Sequence, residues 1–308
     1  MKRLKQFNWL KKCQIFKILD FLYRVMRELI LRFPHLAEQI FQQLDNKNLA
    51  KCREIERLWQ KFIDERNYPW LRIVNIPTIL HYRNTYMHLA AQWGQTDMFE
   101  MILDKEENKN AKNCYGETAF IAACHKGHMN IALILLKKCD ELKIDLNVKD
   151  DSGWTAFHEA CCRGHSEIAE VIIKKSSELK IHLNSKDYEG YTAFHEACFR
   201  GHSEIAEMIM RSSSKLKIDL NTTDNCGLTA FHLACRNGHI RIIGVMIKWS
   251  ESLELDLKAE DRDGKTGYQL AKYHGRTDVV NLIQTKMPCL AVDKRSPAST
   301  VFSSCRIS

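Results

Sequence analysis

Apolar residues in the middle of this chain recur with two nested periods. Within DSGWTAFHEACCRGHSEIAEVIIKKSSELKIHLN, residues 151 to 184, Ile168, Val171, Ile172 and Leu179 follow the spacing that puts one apolar stripe on a helix. The whole segment then repeats. Its Thr155-Ala156-Phe157 triplet aligns with Thr118-Ala119-Phe120, Thr192-Ala193-Phe194, Thr229-Ala230-Phe231 and the degenerate Thr266-Gly267-Tyr268, each 37 residues apart. One further copy, Thr85-Tyr86-Met87, lies 33 residues upstream. A fixed period of this size predicts an all-α solenoid of stacked units, each burying its apolar face on the next, rather than one closed core.

Each shared residue has a mechanical reason. Thr155 suits the N-cap of a first helix, and His158 three residues on is placed to bond back, as a capping-box partner does. Ala160 and Cys161 are small enough for helices to approach, and Gly164 suits the left-handed end of a helix. Gly153, Gly190 and Gly227 supply the preceding turns. Ser176 to Lys180 stands where the second helix would otherwise stop, so that helix is expected to run on by about one turn, ~3.6 residues.

Upstream, residues 1 to 32 alternate basic and apolar groups. Ile15, Ile18, Leu19, Leu22, Val25, Met26 and Leu29 predict an amphipathic helix, expected to pack on the next domain. Its six basic and no acidic residues before Asp20 also resemble a mitochondrial presequence or a membrane-surface helix, the lesser readings. Residues 33 to 78 form a second unit of short amphipathic helices, with a break at Asp45-Asn46-Lys47 and an apolar connection from Glu65 to Thr78. Phe33-Pro34, Ile40, Leu44, Asp45, Leu49, Ile55 and Trp59 occupy the pattern of an F-box, which this stretch resembles. It departs from the family in having Phe33 where Leu is usual and a Pro34-to-Leu44 interval one residue short. The alternative is a helical cap on the solenoid, needed by any repeat array.

Residues 79 to 287 resemble about six ankyrin repeats. Thr-Ala-Phe-His opens the units at 155, 192 and 229, and Gly164-His165, Gly201-His202 and Gly238-His239 break them. The usual Pro after Thr is replaced by Ala, and the period exceeds the family's by four residues. The resemblance implies binding through turn tips and the concave face of the first helices. Carried onto this sequence, those positions are Trp93, Lys126, Trp154, Arg163, Tyr188, Tyr191, Phe199, Arg200, Leu228 and Arg236. Trp154 and Tyr191 are expected to be exposed at turn tips, and the target to carry an apolar or acidic segment. Residues 288 to 308 lack apolar periodicity and are expected to be a disordered tail.

Composition narrows the function. The net charge is +8, but residues 1 to 32 hold nine basic against two acidic residues, so the repeats are almost neutral and a nucleic-acid partner is not expected. Four of the twelve cysteines, Cys124, Cys161, Cys198 and Cys235, share one repeat position and read as small core fillers. Without an export signal or an apolar run of ~20 residues, a reducing cytoplasm or nucleus is the expected compartment. His158, Cys161, Cys162 and His165 lie near one another in sequence, yet repeats stacked ~10 Å apart set such residues in columns and not around one ion. No catalytic residue, metal or cofactor is expected, and the chain is read as a non-enzyme. The two resemblances together imply a substrate-recognition subunit of a cullin-RING ubiquitin ligase. Pro34, Ile40, Leu44, Leu49, Ile55 and Trp59 would dock its Skp-type adaptor, and the repeats would hold the target protein. An ankyrin scaffold with no ligase role is the alternative.

Overall fold

The computed structural model describes residues 84–104 and 106–291. The adaptor-docking positions Pro34 to Trp59, the basic segment 1–32 and most of the expected tail therefore lie outside the described residues. Among the described residues twelve α-helices follow one another in six pairs: α1 Tyr86–Trp93, α2 Thr96–Leu103, α3 Ala119–Lys126, α4 Met129–Leu142, α5 Ala156–Arg163, α6 Ser166–Lys175, α7 Ala193–Arg200, α8 Ser203–Leu216, α9 Ala230–Asn237, α10 Ile240–Trp249, α11 Gly267–Tyr273 and α12 Thr277–Lys286. A 3₁₀ turn, Pro288–Leu290, closes the described part. Odd-numbered helices pack on one another in one layer and even-numbered helices in a second, so each repeat touches chiefly its neighbours. This is the predicted all-α solenoid.

The first helix of each repeat begins as its sequence dictates. Thr192 and Thr229 accept the His195 and His232 backbone N–H at 3.4 Å, and each histidine returns the bond by accepting the Thr N–H on Nδ1 at 3.2 and 3.1 Å. With Nδ1 an acceptor, the ring proton sits on Nε2. From there His88, His158, His195 and His232 donate to the Glu117, Tyr191, Leu228 and Lys265 carbonyls of the next repeat, at 2.8 to 3.3 Å. One neutral imidazole thus caps its own helix and tethers the following unit. Ala160, Ala197, Ala234 and the cysteines beside them are completely buried between the layers. Burial pushes the Cys161, Cys198 and Cys235 thiols far above their ordinary range, as inert core groups.

In α6 the buried stripe is Ile168, Ala169, Ile172 and Ile173; Val171 and Leu179, expected in the core, are only half-buried. The stripe turns by one residue from Val171 towards Ile173, and Leu179 lies beyond the helix in the turns that follow it. The four additional residues behave as predicted in α4 and α8, which run to Leu142 and Leu216. The continuation expected through Ser176 to Lys180 does not form: α6 stops at Lys175, and that stretch, like the one after α10, is a series of hydrogen-bonded turns. All four end alike, with Lys143, Lys180, Lys217 or Glu254 at φ of 50 to 53°. The next residue's N–H then reaches back to the Cys139, Ser176, Ser213 or Ser250 carbonyl at 2.8 to 3.0 Å, the Schellman pattern without its glycine.

A side chain in the left-handed region costs roughly 1 kcal/mol or more. An asparagine ladder holds it there. Asn110, Asn147, Asn184 and Asn221 each donate to the carbonyl of the left-handed residue in the next repeat and accept the N–H two residues beyond it, at 2.8 to 3.1 Å. Replacing Asn184 by alanine removes both bonds at one junction. We expect about 1 kcal/mol of destabilisation, read as a lower urea midpoint with an unchanged slope.

Candidate functional site

The open side of the first-helix layer carries the residues that vary from repeat to repeat. One register runs Glu117, Trp154, Tyr191, Leu228 and Lys265 immediately before the N-cap threonines. A second runs His125, Cys162, Phe199 and Arg236 in the last helical turns, and a third Lys126, Arg163, Arg200 and Asn237. The scaffold leaves these positions chemically free, and their differences give each junction its own character.

At the turn tips the structure corrects an expectation. Trp154 and Tyr191 are half-buried, not exposed. The Trp154 indole donates to Asp187 Oδ2 of the next repeat at 3.0 Å and stacks near His158, ring centres 6.4 Å apart. Tyr191 meets His195 edge-on at 5.8 Å. Burial, followed by the carboxylate of Asp224, raises its hydroxyl to about 12. Leu228, also placed in the groove from sequence, is buried with Leu233 and Leu270, and Tyr191 and Phe199 pack against that cluster. The reason is common to all three. Asp150, Asp187 and Asp224 each fold their own turn by accepting backbone N–H groups two and four residues on. This brings a side chain just before the cap against the following unit. Tyr188, by contrast, is 67% exposed and Trp93 42%.

At the helix ends the chemistry is cationic and aromatic. Lys126, Arg163 and Arg200 are exposed, and the guanidinium groups of Arg200 and Arg236 lie over the half-buried Phe199 ring, 5.1 and 5.8 Å from its centre. Under this layer lie Glu159 and Glu196, only 5% and 6% exposed, which the sequence presents as ordinary surface partners of Arg163 and Arg200. The ion-pair distances are 3.5 Å for Arg163 to Glu159 and 3.9 Å for Arg200 to Glu196. Glu196 Oε2 is buried and makes no hydrogen bond. Burial raises the Glu196 carboxyl above its usual range, opposed by Cys162 and Arg200, and burial lifts the Cys162 thiol to about 11. The legible signal was position: each glutamate sits between a capping histidine and a buried alanine, on a helix buried along most of its length.

Two cavities open along this face. One, about 420 Å³, is lined by Gln92, Glu117, His125, Lys126 and Asp150 among others. The second, about 400 Å³, is lined by Leu228, Arg236, Arg262, Lys265 and Tyr273 among others. Such surfaces bind; the shared histidines are committed to backbone carbonyls and the column cysteines to the core. Among the described residues, no helix is long and apolar enough to cross a membrane.

Comparison with known proteins agrees with the architecture. A family model described as ankyrin repeats (3 copies) matches residues 70–150 and 139–224, and one described as ankyrin repeats (many copies) matches 207–247. A stretch of 63 residues is 33% identical to a probable E3 ubiquitin-protein ligase, XBOS33, of Oryza sativa subsp. japonica. That stretch is 20% of this chain, which spans only 12% of the length of that curated relative.

Proposed function

This chain belongs to the ankyrin-repeat family, and from that premise we propose that it is the substrate-recognition subunit of a cullin-RING ubiquitin ligase in the cytoplasm or nucleus. The repeats bind protein. The F-box-like segment docks the Skp-type adaptor through Pro34, Ile40, Leu44, Leu49, Ile55 and Trp59, and the chain catalyses nothing itself. Its contribution is proximity, raising the effective concentration of a target lysine near the charged conjugating enzyme.

Target capture rests on one observation, the cluster of Arg200 and Arg236 over the Phe199 ring on the open face. Aromatic and arginine side chains supply most interface hot spots. Two cations around an apolar ring suit a target segment that is apolar with acidic residues. Trp93, Lys126, Arg163 and Tyr188 extend this surface, while Trp154 and Tyr191 contribute their exposed edges and Leu228 supports it from beneath. The ligase assignment is supported by the residue pattern at 33–65 and by the ligase name of the partial relative.

Co-purification tests both halves. The full chain should retain a Skp-type adaptor, and Pro34→Ala with Trp59→Ala should abolish retention. Phe199→Ala with Arg236→Ala should leave the adaptor bound and weaken target capture at least tenfold, an effect of ~1.4 kcal/mol or more. Failure of the wild-type chain to hold the adaptor, beside a positive control, would leave it an ankyrin scaffold.

A further inference from the structure

Among the described residues, one place brings three metal-ligating side chains together. The donor atoms of Glu117, His125 and Glu159 all lie within 4.8 Å of one another. We propose that they form a zinc-class divalent-cation site at the junction of the second and third repeats.

Glu117 precedes the cap of α3, His125 lies in the last turn of α3, and Glu159 lies in the first turn of α5. His125 Nδ1 stands 3.1 Å from Glu159 Oε2. Two ligands of one tetrahedral zinc, each bonded at about 2.0 to 2.1 Å, are roughly 3.3 Å apart, so this pair is already near ligand spacing. With every separation in the triad within 4.8 Å, a rotation that moves the Glu117 carboxylate by up to ~1.4 Å brings it to the same spacing. The His125 Nδ1 atom is buried and makes no hydrogen bond. Glu117 Oε2 accepts from Asn113 Nδ2 at 2.7 Å, the kind of contact that orients a ligating carboxylate. Asp150 adds another carboxylate to the wall of the same cavity, whose open volume leaves a coordination position for water or an incoming donor.

The repeat itself shows that the scaffold does not require this triad. The register of Glu117 continues as Trp154 and Tyr191, that of His125 as Cys162 and Phe199, and Glu159 is preceded one repeat earlier by Ala122. The next junction keeps the glutamate, as Glu196, beside Trp154 and Cys162, and folds without the combination. The competing interaction is Arg163, whose Nε lies 3.5 Å from Glu159 Oε2 and whose side chain is half exposed.

Zinc chloride titrated into the full chain should register one site, and the ion should raise the melting temperature. His125→Ala and, separately, Glu117→Gln should each weaken binding at least tenfold and abolish that thermal shift. Arg163→Ala should tighten binding several-fold by removing the competing cation. Cobalt(II) should give ligand-field bands without thiolate charge transfer. A wild-type chain that binds no zinc, variants that bind as well as wild type, or a thiolate band assigning the ion to cysteine would each overturn the proposal. His125 would then be only an ion-pair partner of Glu159.

Discussion

Between pH 6.5 and about 4 the repeat array should lose stability steeply, and replacing His158, His195 and His232 by glutamine should remove most of that loss. Burial lowers the pKa of His88, His158, His195 and His232, and His195 falls to about 4. The sign follows from the bonding: Nδ1 accepts from the threonine N–H, so a proton there would oppose the cap. In the unfolded chain the same rings titrate near 6.5. Stability is therefore complete above pH 6.5 and falls as pH drops towards the folded-state values. His195 alone contributes on the order of 3 kcal/mol across the window. The buried Asp150 and Glu196 carboxyls, raised by desolvation, act in the opposite direction and cannot account for the loss. The last repeat supplies the control. Gln269 replaces the histidine, and its Oε1 accepts the Thr266 N–H at 3.0 Å without a titrating group. Urea midpoints measured from pH 7.5 to 4.5 decide the matter; a glutamine variant with the wild-type slope would remove the histidines as its cause.

Gly201→Ala should destabilise the array by about 3 to 4 kcal/mol, whereas Gly275→Ala at the equivalent position of the last repeat should cost only about 1 to 2 kcal/mol. Both glycines have left-handed backbones, with φ of 84° and 66°. They differ in what stands above them. A Cβ on Gly201 would lie 2.5 Å from His239 Cε1, while one on Gly275 would meet nothing within 4 Å. His239 is fixed by its Nε2 donating to the Phe199 carbonyl at 2.9 Å, so yielding to the methyl group also breaks that bond. Thermal melts of the two variants separate the backbone contribution from the collision. Equal costs would mean that His239 swings aside freely.

The architecture was legible because its signals are local. Thr caps, returning histidines, small buried residues and helix-ending glycines all act within a few positions, and a 37-residue period repeats them in plain view. The surface was less legible because it is settled one repeat away. Nothing near Trp154 announces that Asp187 will receive its indole N–H, and nothing near Leu228 that Leu270 will cover it. The i,i+4 arginines made Glu159 and Glu196 look like solvated partners, while the packing of consecutive first helices buries both. The asparagines at 110, 147, 184 and 221 were visible as a periodic column, but their purpose lies in a carbonyl and an N–H 33 and 35 residues downstream.

That ladder makes the central repeats carry the same socket on one side and the same plug on the other. Asn147 offers the third repeat what Asn184 offers the fourth, in matching geometry. A cassette of 37 residues, cut at any equivalent point, therefore brings its own fastening to whatever neighbour it meets. The run from Asn110 to Asn221 ends where Lys258 takes the next place. Recombination between the central repeats can thus exchange the variable groups of the open face, or alter their number, without redesigning the joints.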